Sequence, residues 1–182
     1  MIPFKVLLVV ICLCFTRLGY SQQEPDSLTE KDRKFFDFLI GSWKISSLQM
    51  ESKTTYGGED IYTFNKLFAG ALNSDWHFNR GTKEKPNIVD AHCYIAYNNL
   101  TRNWSFYYIS TLSAQYYDGK KENGNWYFYR SFDFGNGNKF IQRQYWKLVD
   151  QKTLERHTEN SNDNGENWKS FSISTLIKQP AN

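Results

Sequence analysis

Residues 35–45 read Phe-Phe-Asp-Phe-Leu-Ile-Gly-Ser-Trp-Lys-Ile, and this stretch decides the fold of the chain. Its first half continues a helical spacing of apolar side chains shared by Leu28, Phe35, Phe38 and Leu39. Ser27 and Glu30 form a capping box, in which side-chain oxygens accept hydrogen bonds from free backbone N–H groups at a helix start. The pattern therefore predicts one short amphipathic helix that begins at Ser27 and ends near residue 41.

Gly41 and Trp43 mark the point where the helix gives way to a strand. Glycine accepts the positive φ that commonly ends a helix. From Trp43 onward the apolar spacing changes from about 3.6 residues to about 2, the period of a β-strand. We expect the helix to close one end of an antiparallel barrel and Trp43 to pack across the floor of that barrel.

The remainder of the chain is a series of alternating segments separated by turn residues. The predicted strands are 43–50, 61–68, 72–79, 88–97, 104–111, 113–118, 126–132, 140–149, 153–159 and 168–177. About ten short strands without a second helical pattern predict an all-β, antiparallel up-and-down barrel with a short N-terminal helix. Closure of the barrel removes the exposed sheet edges that a flat sheet would leave.

The first 21 residues have the pattern of a secretory signal peptide. Lys5 gives a positive start, and residues 6–15 are an apolar run that is short for a membrane span. Gly19 and Ser21 supply small residues at a cleavage site. We therefore expect residues 22–182 to form one exported barrel domain, periplasmic or secreted, with no stable membrane span after cleavage.

Charge and cysteine content exclude several classes of protein. Signal cleavage removes Lys5 and Arg17, which takes the basic residues from 22 to 20 against 19 acidic residues, a net charge of +1. The basic residues are scattered, so nucleic acid is not a predicted partner. Cys93 is the cysteine that remains, so no internal disulfide is expected, and its apolar neighbours predict burial.

Gly41-Ser42-Trp43 after a helix resembles the G-x-W signature of the calycins, the lipocalins and their relatives. In those proteins the tryptophan packs across the closed end of the barrel. More specifically, residues 38–43 and a later Ser-Asp-Gly-Trp hairpin resemble bacterial lipocalin-like families of unknown function. The resemblance implies a barrel that binds a small hydrophobic molecule, including one with a carboxylate such as a fatty acid.

That later hairpin contains Ser161, Asp163, Gly165 and Trp168 in the order S-x-D-x-G-x-x-W. The pattern is similar to the Asp-box of sialidases and other β-propellers. A propeller would repeat it, and the sequence contains one copy. We therefore predict a structural hairpin between the last two strands, in which side chains bond the turn, Gly165 takes a positive φ and Trp168 folds over it.

Arg143 and Tyr145 are the best candidates for ligand chemistry. They resemble the R-x-Y pair with which fatty-acid-binding proteins hold a carboxylate inside a barrel. If their face of the strand points inward, the planar guanidinium can bind a carboxylate bidentately. Two alternatives remain: Arg143 stacks on Trp43, as an arginine does in many lipocalins, or the opposite face of this strand points inward.

Other aromatic residues are candidates for the lining of the pocket. They are Phe64, Trp76, Phe78, Tyr107, Tyr127 and Tyr129. A ligand cavity and a filled core use the same residue types, so aromatic content does not separate them. Besides ligand binding, the sequence leaves two interpretations: an isomerase or hydrolase that uses a His or Tyr of the cavity, and a filled barrel that binds a protein partner through its surface. Binding is favoured over catalysis.

The three histidines do not form a recognisable metal motif. His77 and His92 lie on polar strand faces near Asp75 and Asp90, and exposed polar decoration is the favoured interpretation. His157 can ligate haem iron in the way that some calycin relatives use a late-strand histidine, and this is the minor alternative to no cofactor. No catalytic motif is present, so no catalytic residue and no metal are predicted.

Overall fold

The computed structural model describes residues 27–50, 53–55, 60–79, 85–133 and 139–180. The predicted signal peptide lies outside these residues. Helix α1 covers Ser27–Arg33, and short 3-10 helices cover Asp37–Leu39 and Phe68–Gly70. The strands are β1 (Gly41–Met50), β2 (Lys53–Thr55), β3 (Ile61–Lys66), β4 (Leu72–Asn79), β5 (Ile88–Asn98), β6 (Asn103–Ser110), β7 (Ala114–Glu122), β8 (Asn125–Asp133), β9 (Lys139–Leu148), β10 (Thr153–Ser161) and β11 (Lys169–Lys178). No helix among the described residues is long and apolar enough to cross a membrane.

Ten of these strands close an antiparallel barrel, which confirms the predicted fold class. From β3 to β11 each strand pairs with the next one in the chain, and β1 completes the ring by pairing with both β3 and β11. The short strand β2 pairs only with the far end of β1 and lies outside the ring. The sequence did not predict β2, because its three residues carry no apolar alternation.

Inward-facing aromatic side chains fill the half of the barrel next to the N-terminal helices. The side chains of Trp43, Trp104, Phe106 and Phe128 are all at most 1% exposed. Aromatic and aliphatic side chains from nearly every strand join this cluster, with Cys93 fully buried among them. Packing of this density makes the layer a rigid floor for the remaining part of the barrel.

The predicted N-terminal helix is present, but its second half is a 3-10 helix and not a continuation of the α-helix. Helix α1 ends at Arg33, and from Phe35 onward the backbone bonds run from residue i to i−3, as in Leu39 N to Phe36 O at 2.9 Å. Three residues per turn place Phe36 and Leu39 on the same side. Both side chains insert into the barrel end and are at most 1% exposed. Burial of these two residues therefore selects the tighter helix over an α-helical spacing.

The joint between helix and barrel lies at Gly41 and Trp43. Gly41 has a φ of +120°, a conformation that side chains with a Cβ rarely adopt. Trp43 is 0% exposed, and its Nε1 donates to the carbonyl oxygen of Leu39 at 2.6 Å. The cation above its ring is Lys178, whose Nζ lies 5.1 Å from the ring centroid. Lys178 therefore occupies the place that one interpretation of the sequence gave to Arg143.

Candidate functional site

The half of the barrel away from the helices is hollow. Its cavity of about 630 Å³ reaches Met50 at the far end of β1 and Phe171 at the start of β11. Trp76, Phe106 and Ile45 form an apolar wall where the cavity meets the filled layer. The barrel is thus neither empty nor fully packed, and it offers a space of the size that small-molecule sites have, about 300–1,000 Å³.

Arg156 of β10 faces this cavity. Its Nε and Nη2 both donate to Oε1 of Gln144, at 3.1 and 2.7 Å, and its guanidinium lies 4.6 Å from the ring centroid of Trp76. Gln144 is 1% exposed, so the bond is made in the interior. Within the described ranges no carboxylate forms an ion pair with Arg156. The guanidinium is therefore oriented by neutral groups, and no described residue supplies a counter-charge.

Arg130 of β8 is the second guanidinium at the cavity. Its Nε donates to Oε1 of Gln142 at 3.2 Å, and it lies 4.4 Å from the ring centroid of Phe132 and 5.0 Å from that of Tyr117. Burial lowers the pKa of Arg130, but an arginine remains charged at neutral pH. Among the residues that the structure describes, Arg130 also has no carboxylate partner.

Polar side chains of the cavity wall and of the layer behind it include several hydrogen-bond donors. Nε2 of Gln144 is buried without a partner in the described part of the chain, although its Oε1 accepts two bonds. Burial raises the pKa of Tyr62, and Arg156 opposes this rise, while burial also raises the pKa of Tyr117. Both phenols therefore stay protonated at neutral pH, and the Tyr117 hydroxyl donates to Oε1 of Gln115 at 2.8 Å. The positive charges of Arg130 and Arg156 at this wall fit a ligand that carries an anionic group.

Asp60 is the carboxylate that lines this cavity. It precedes β3, is 6% exposed, and accepts a hydrogen bond from the backbone N–H of Asn79 at 3.0 Å. Burial raises the pKa of Asp60, while the Asn79 bond and the charge of His77 lower it. No Lys or Arg of the described residues forms an ion pair with it. Asp60 is thus a hydrogen-bond acceptor in the same cavity wall in which the two arginines are donors.

The structure resolves which face of β9 points inward, and it corrects the leading interpretation of Arg143 and Tyr145. Gln142, Gln144 and Trp146 face the interior, so Arg143 and Tyr145 lie on the outer surface. The R-x-Y pair therefore does not face the cavity. Both strand faces carry aromatic or long polar side chains, and the outer face is covered by rings of neighbouring strands.

Arg143 is held in an outer groove of about 520 Å³ that also contains Tyr129 and Trp168. Its Nε donates to Oε2 of Glu159 at 2.6 Å, its Nη1 donates to the Tyr129 hydroxyl at 3.3 Å, and its guanidinium lies 4.1 Å from the Trp168 ring centroid. Burial alone would lower the pKa of Arg143, but the bonds to Tyr129 and Glu159 raise it. This arginine therefore has a counter-charge in Glu159, whereas no described carboxylate pairs with Arg156.

Some of the predicted lining residues face the interior of the barrel, and the others face outward. Trp76 and Phe78 line the cavity, and Phe64 is buried in the filled half. Tyr107, Tyr127 and Tyr129 occupy alternate positions to the inward residues of β6 and β8 and lie outside, with Tyr107 42% exposed. Burial in this outer layer raises the pKa of Tyr129 to about 12. These three tyrosines therefore do not line the cavity together with Trp76.

All three histidines of the chain face away from the cavity. His77 pairs with Asp90 at 2.7 Å between Nδ1 and Oδ1, and His92 pairs with Asp75 across the same two strands. His157 stacks on Tyr145 with ring centroids 4.7 Å apart and bonds Glu155. A haem inside the barrel would therefore be out of its reach. Over the described ranges, no three His, Cys, Asp or Glu side chains gather as a metal site.

The hairpin between β10 and β11 forms with its side chains bonded to the turn. Ser161 Oγ accepts a bond from the Gly165 N–H at 2.8 Å, and Asp163 Oδ1 accepts one from the Asn167 N–H at 2.9 Å. Gly165 has a φ of +91°, and Trp168 folds against it. Since Trp168 also contacts Arg143, the hairpin is part of the wall of the outer groove.

Sequence reasoning missed Arg156, Arg130 and Asp60 as residues of the site. One signal was present for Arg130, because it follows Trp126 and Phe128 at the period of two that marks one strand face. The same alternation from Leu154 leads to Arg156. Asp60 has no such signal, since it lies before the first residue of its strand.

No protein-family model matches the chain, and no curated protein matches its sequence. Among solved structures, the chain is similar to an S-type phycobiliprotein lyase from Guillardia theta, with 10% identity and a TM-score of 0.48. The match covers 87% of this chain and 100% of the other. Membership of the lipocalin-like families that the sequence resembles stays a prediction, and a functional assignment has to come from the cavity itself.

Proposed function

We propose that this protein binds a small amphipathic carboxylate, such as a fatty acid, inside its barrel and that Arg156 binds the acidic group. The observation that carries the proposal is the pair of guanidiniums, Arg156 and Arg130, facing a cavity without a carboxylate partner in the described residues. Both arginines are half-buried, and a cation that is partly withdrawn from water costs free energy unless an anion pairs with it. A bound carboxylate would supply that anion.

The remaining wall suits the apolar part of such a ligand. Ile45, Trp76, Phe78 and Phe106 border the same space, and burial of a ligand's hydrocarbon against them contributes roughly 25 cal/mol per Å². Arg156 lies where this wall meets Gln144, so its two bonded nitrogens are fixed before a ligand arrives. Such preorganisation lowers the entropic cost of binding.

The geometry supports binding better than catalysis. A barrel enzyme of the predicted kind needs a His or Tyr that exchanges a proton in the cavity. All three histidines lie outside, and the pKa of Tyr62 is raised by burial, away from neutrality. The cavity tyrosines therefore keep their protons at neutral pH, and a protonated phenol can donate a hydrogen bond to an anionic ligand.

Export of the protein belongs to the same proposal and is supported by the signal-peptide pattern of residues 1–21. N-terminal sequencing of the protein from its own host tests it. Cleavage near residue 21, in protein found outside the cytoplasm, is the expected result, and an intact N-terminus in the cytoplasm would contradict it.

Calorimetric titration with decanoic acid and methyl decanoate tests the binding role. The wild type should bind the acid more tightly than the ester, because the ester has no anionic charge. Arg156→Gln should weaken binding of the acid about tenfold to a hundredfold, the range expected when a charged hydrogen bond is lost, and should leave binding of the ester nearly unchanged.

Lys147→Gln is the matched control, because it removes one positive charge from an exposed, outward position of β9. It should bind the acid as the wild type does. Arg143→Gln should also retain binding, since Arg143 lies outside the cavity. Absence of binding by the wild type across acids of different chain length, or equal affinity in Arg156→Gln, would overturn the proposal.

A further inference from the structure

We infer that Asp60 is a second recognition group of the cavity and that the ligand is a hydroxylated carboxylic acid whose hydroxyl donates to Asp60. The inference rests on the proposed function, because it specifies the ligand of the same cavity. The two guanidiniums of the wall would bind the acid group of the ligand. The Asp60 carboxylate would accept a hydrogen bond from the ligand's hydroxyl.

The first support is the incomplete pairing of Asp60. Its side chain borders the cavity, the residue is 94% buried, and from the residues that the structure describes it accepts one hydrogen bond, from the Asn79 N–H. A carboxylate has about four lone-pair sites on its two oxygens. Burial of such a group is unfavourable unless further donors bond it. A ligand donor in the cavity would supply the missing partner.

The charge balance of the cavity selects a neutral donor. Arg130 and Arg156 already place two positive charges around this space, and Asp60 is the carboxylate among the described lining residues. An ammonium group on the ligand would add a third positive charge and would be repelled by both guanidiniums. A hydroxyl donates a hydrogen bond to Asp60 without that repulsion.

The strand register gives the approximate position of this hydroxyl. Tyr62 lies on the inner face of β3, two residues beyond Asp60, and stacks on Trp76 with ring centroids 4.5 Å apart. Trp76 also contacts the Arg156 guanidinium. Two residues of a strand span about 7 Å. The hydroxyl should therefore lie several bonds from the carboxyl group, near the middle of a chain of decanoic-acid length.

Competition between three probes tests the inference: decanoic acid, decanoic acid hydroxylated at mid-chain, and the methyl ether of that hydroxy acid. The ether keeps the oxygen but cannot donate. Wild-type protein should bind the hydroxy acid about fivefold more tightly than either other probe, the effect of one net hydrogen bond. Asp60→Asn should lose this preference and still bind decanoic acid, which shows that the variant is folded.

Asp75→Asn is the matched control, since Asp75 is exposed on the outer face of β4 and pairs with His92. It should keep the wild-type preference for the hydroxy acid. Equal affinities of the wild type for the hydroxy acid and its ether, or a preference that persists in Asp60→Asn, would overturn the inference while binding of decanoic acid still supports the proposed function. Failure of all three probes to bind would overturn both.

Discussion

Asp163 and Asp60 are carboxylates that the barrel places in opposite environments. Asp163 is half-buried in the surface hairpin, and bonds from the Asn167 N–H, the Ser161 hydroxyl and the Asn167 amide lower the pKa of Asp163 to about 2. Asp60 is buried, and burial raises its pKa. The environment of Asp163 was predictable from the motif, because every partner lies within six residues. That of Asp60 was not, because it depends on β4 and on the cavity.

Asp163→Ala should lower the melting temperature, because the folded carboxylate is bonded to the turn. The folded pKa of about 2 lies below the unfolded value of about 3.9. The contribution of Asp163 to stability is therefore present above the unfolded pKa and is lost as pH falls through the folded one. Thermal melts of wild type and variant should differ at neutral pH and converge in acid. A difference that grows on acidification would contradict this account.

Asp60→Asn should raise the melting temperature at neutral pH. The amide oxygen still accepts the Asn79 N–H, and no buried charge remains. Since the folded pKa of Asp60 is raised, the native state binds more protons between the unfolded and folded values, and wild-type stability falls as pH rises through that window. Melting curves measured from acid to neutral pH should show that Asp60→Asn raises the melting temperature above this pH window and leaves it unchanged below the window. A gain independent of pH would exclude this mechanism.

The strands and the N-terminal helices that close the barrel end are the elements that follow most directly from the sequence. The alternation after Trp43 gave the ten strands of the ring, since each has one face in the core. The face of β9 could not be predicted, because Tyr145 on the outside stacks on His157 and packs near Tyr127. An outer aromatic layer makes both faces look buried. The predicted helix changes to 3-10 spacing past Arg33, because insertion into the barrel favours that spacing.

Phe36→Ala should lower the free energy of unfolding by about 3–5 kcal/mol, the cost of removing a buried aromatic side chain. Phe36 is 1% exposed and contacts the rings of Trp104, Phe128 and Trp146. Because this contact lies in the filled half, the folded variant should bind decanoic acid as the wild type does. Urea unfolding and calorimetric titration measure the two effects.

Phe68→Ala is the control for this change, because Phe68 is 85% exposed. It should alter the free energy of unfolding by no more than about 0.5 kcal/mol, as is usual for surface substitutions. If the two variants are destabilised equally, the packing of Phe36 does not hold the N-terminal helices in the barrel end.

The whole molecule combines a filled half and a hollow half within one ring of strands. The same alternation that buries Trp104 and Phe128 near the helices brings Arg130 and Arg156 to the cavity further along the strands. The sequence predicted the closed barrel, because closure follows from residue types and periods. The class of ligand was implied by the lipocalin resemblance and stays a proposal. The sequence did not predict which arginine faces inward, because that depends on the register of closure.

Tryptophan indole resonances report where a ligand lies in this molecule. Trp76 borders the cavity, Trp168 borders the outer groove, and Trp43 and Trp104 lie in the filled half. The decisive measurement is the NMR spectrum of these indole N–H groups in the presence of a nitroxide-labelled fatty acid, since the spin label broadens nearby resonances. Binding inside the barrel predicts that the Trp76 resonance broadens first and that unlabelled decanoic acid restores it. Earliest broadening at Trp168, or no broadening at any tryptophan, would contradict the account.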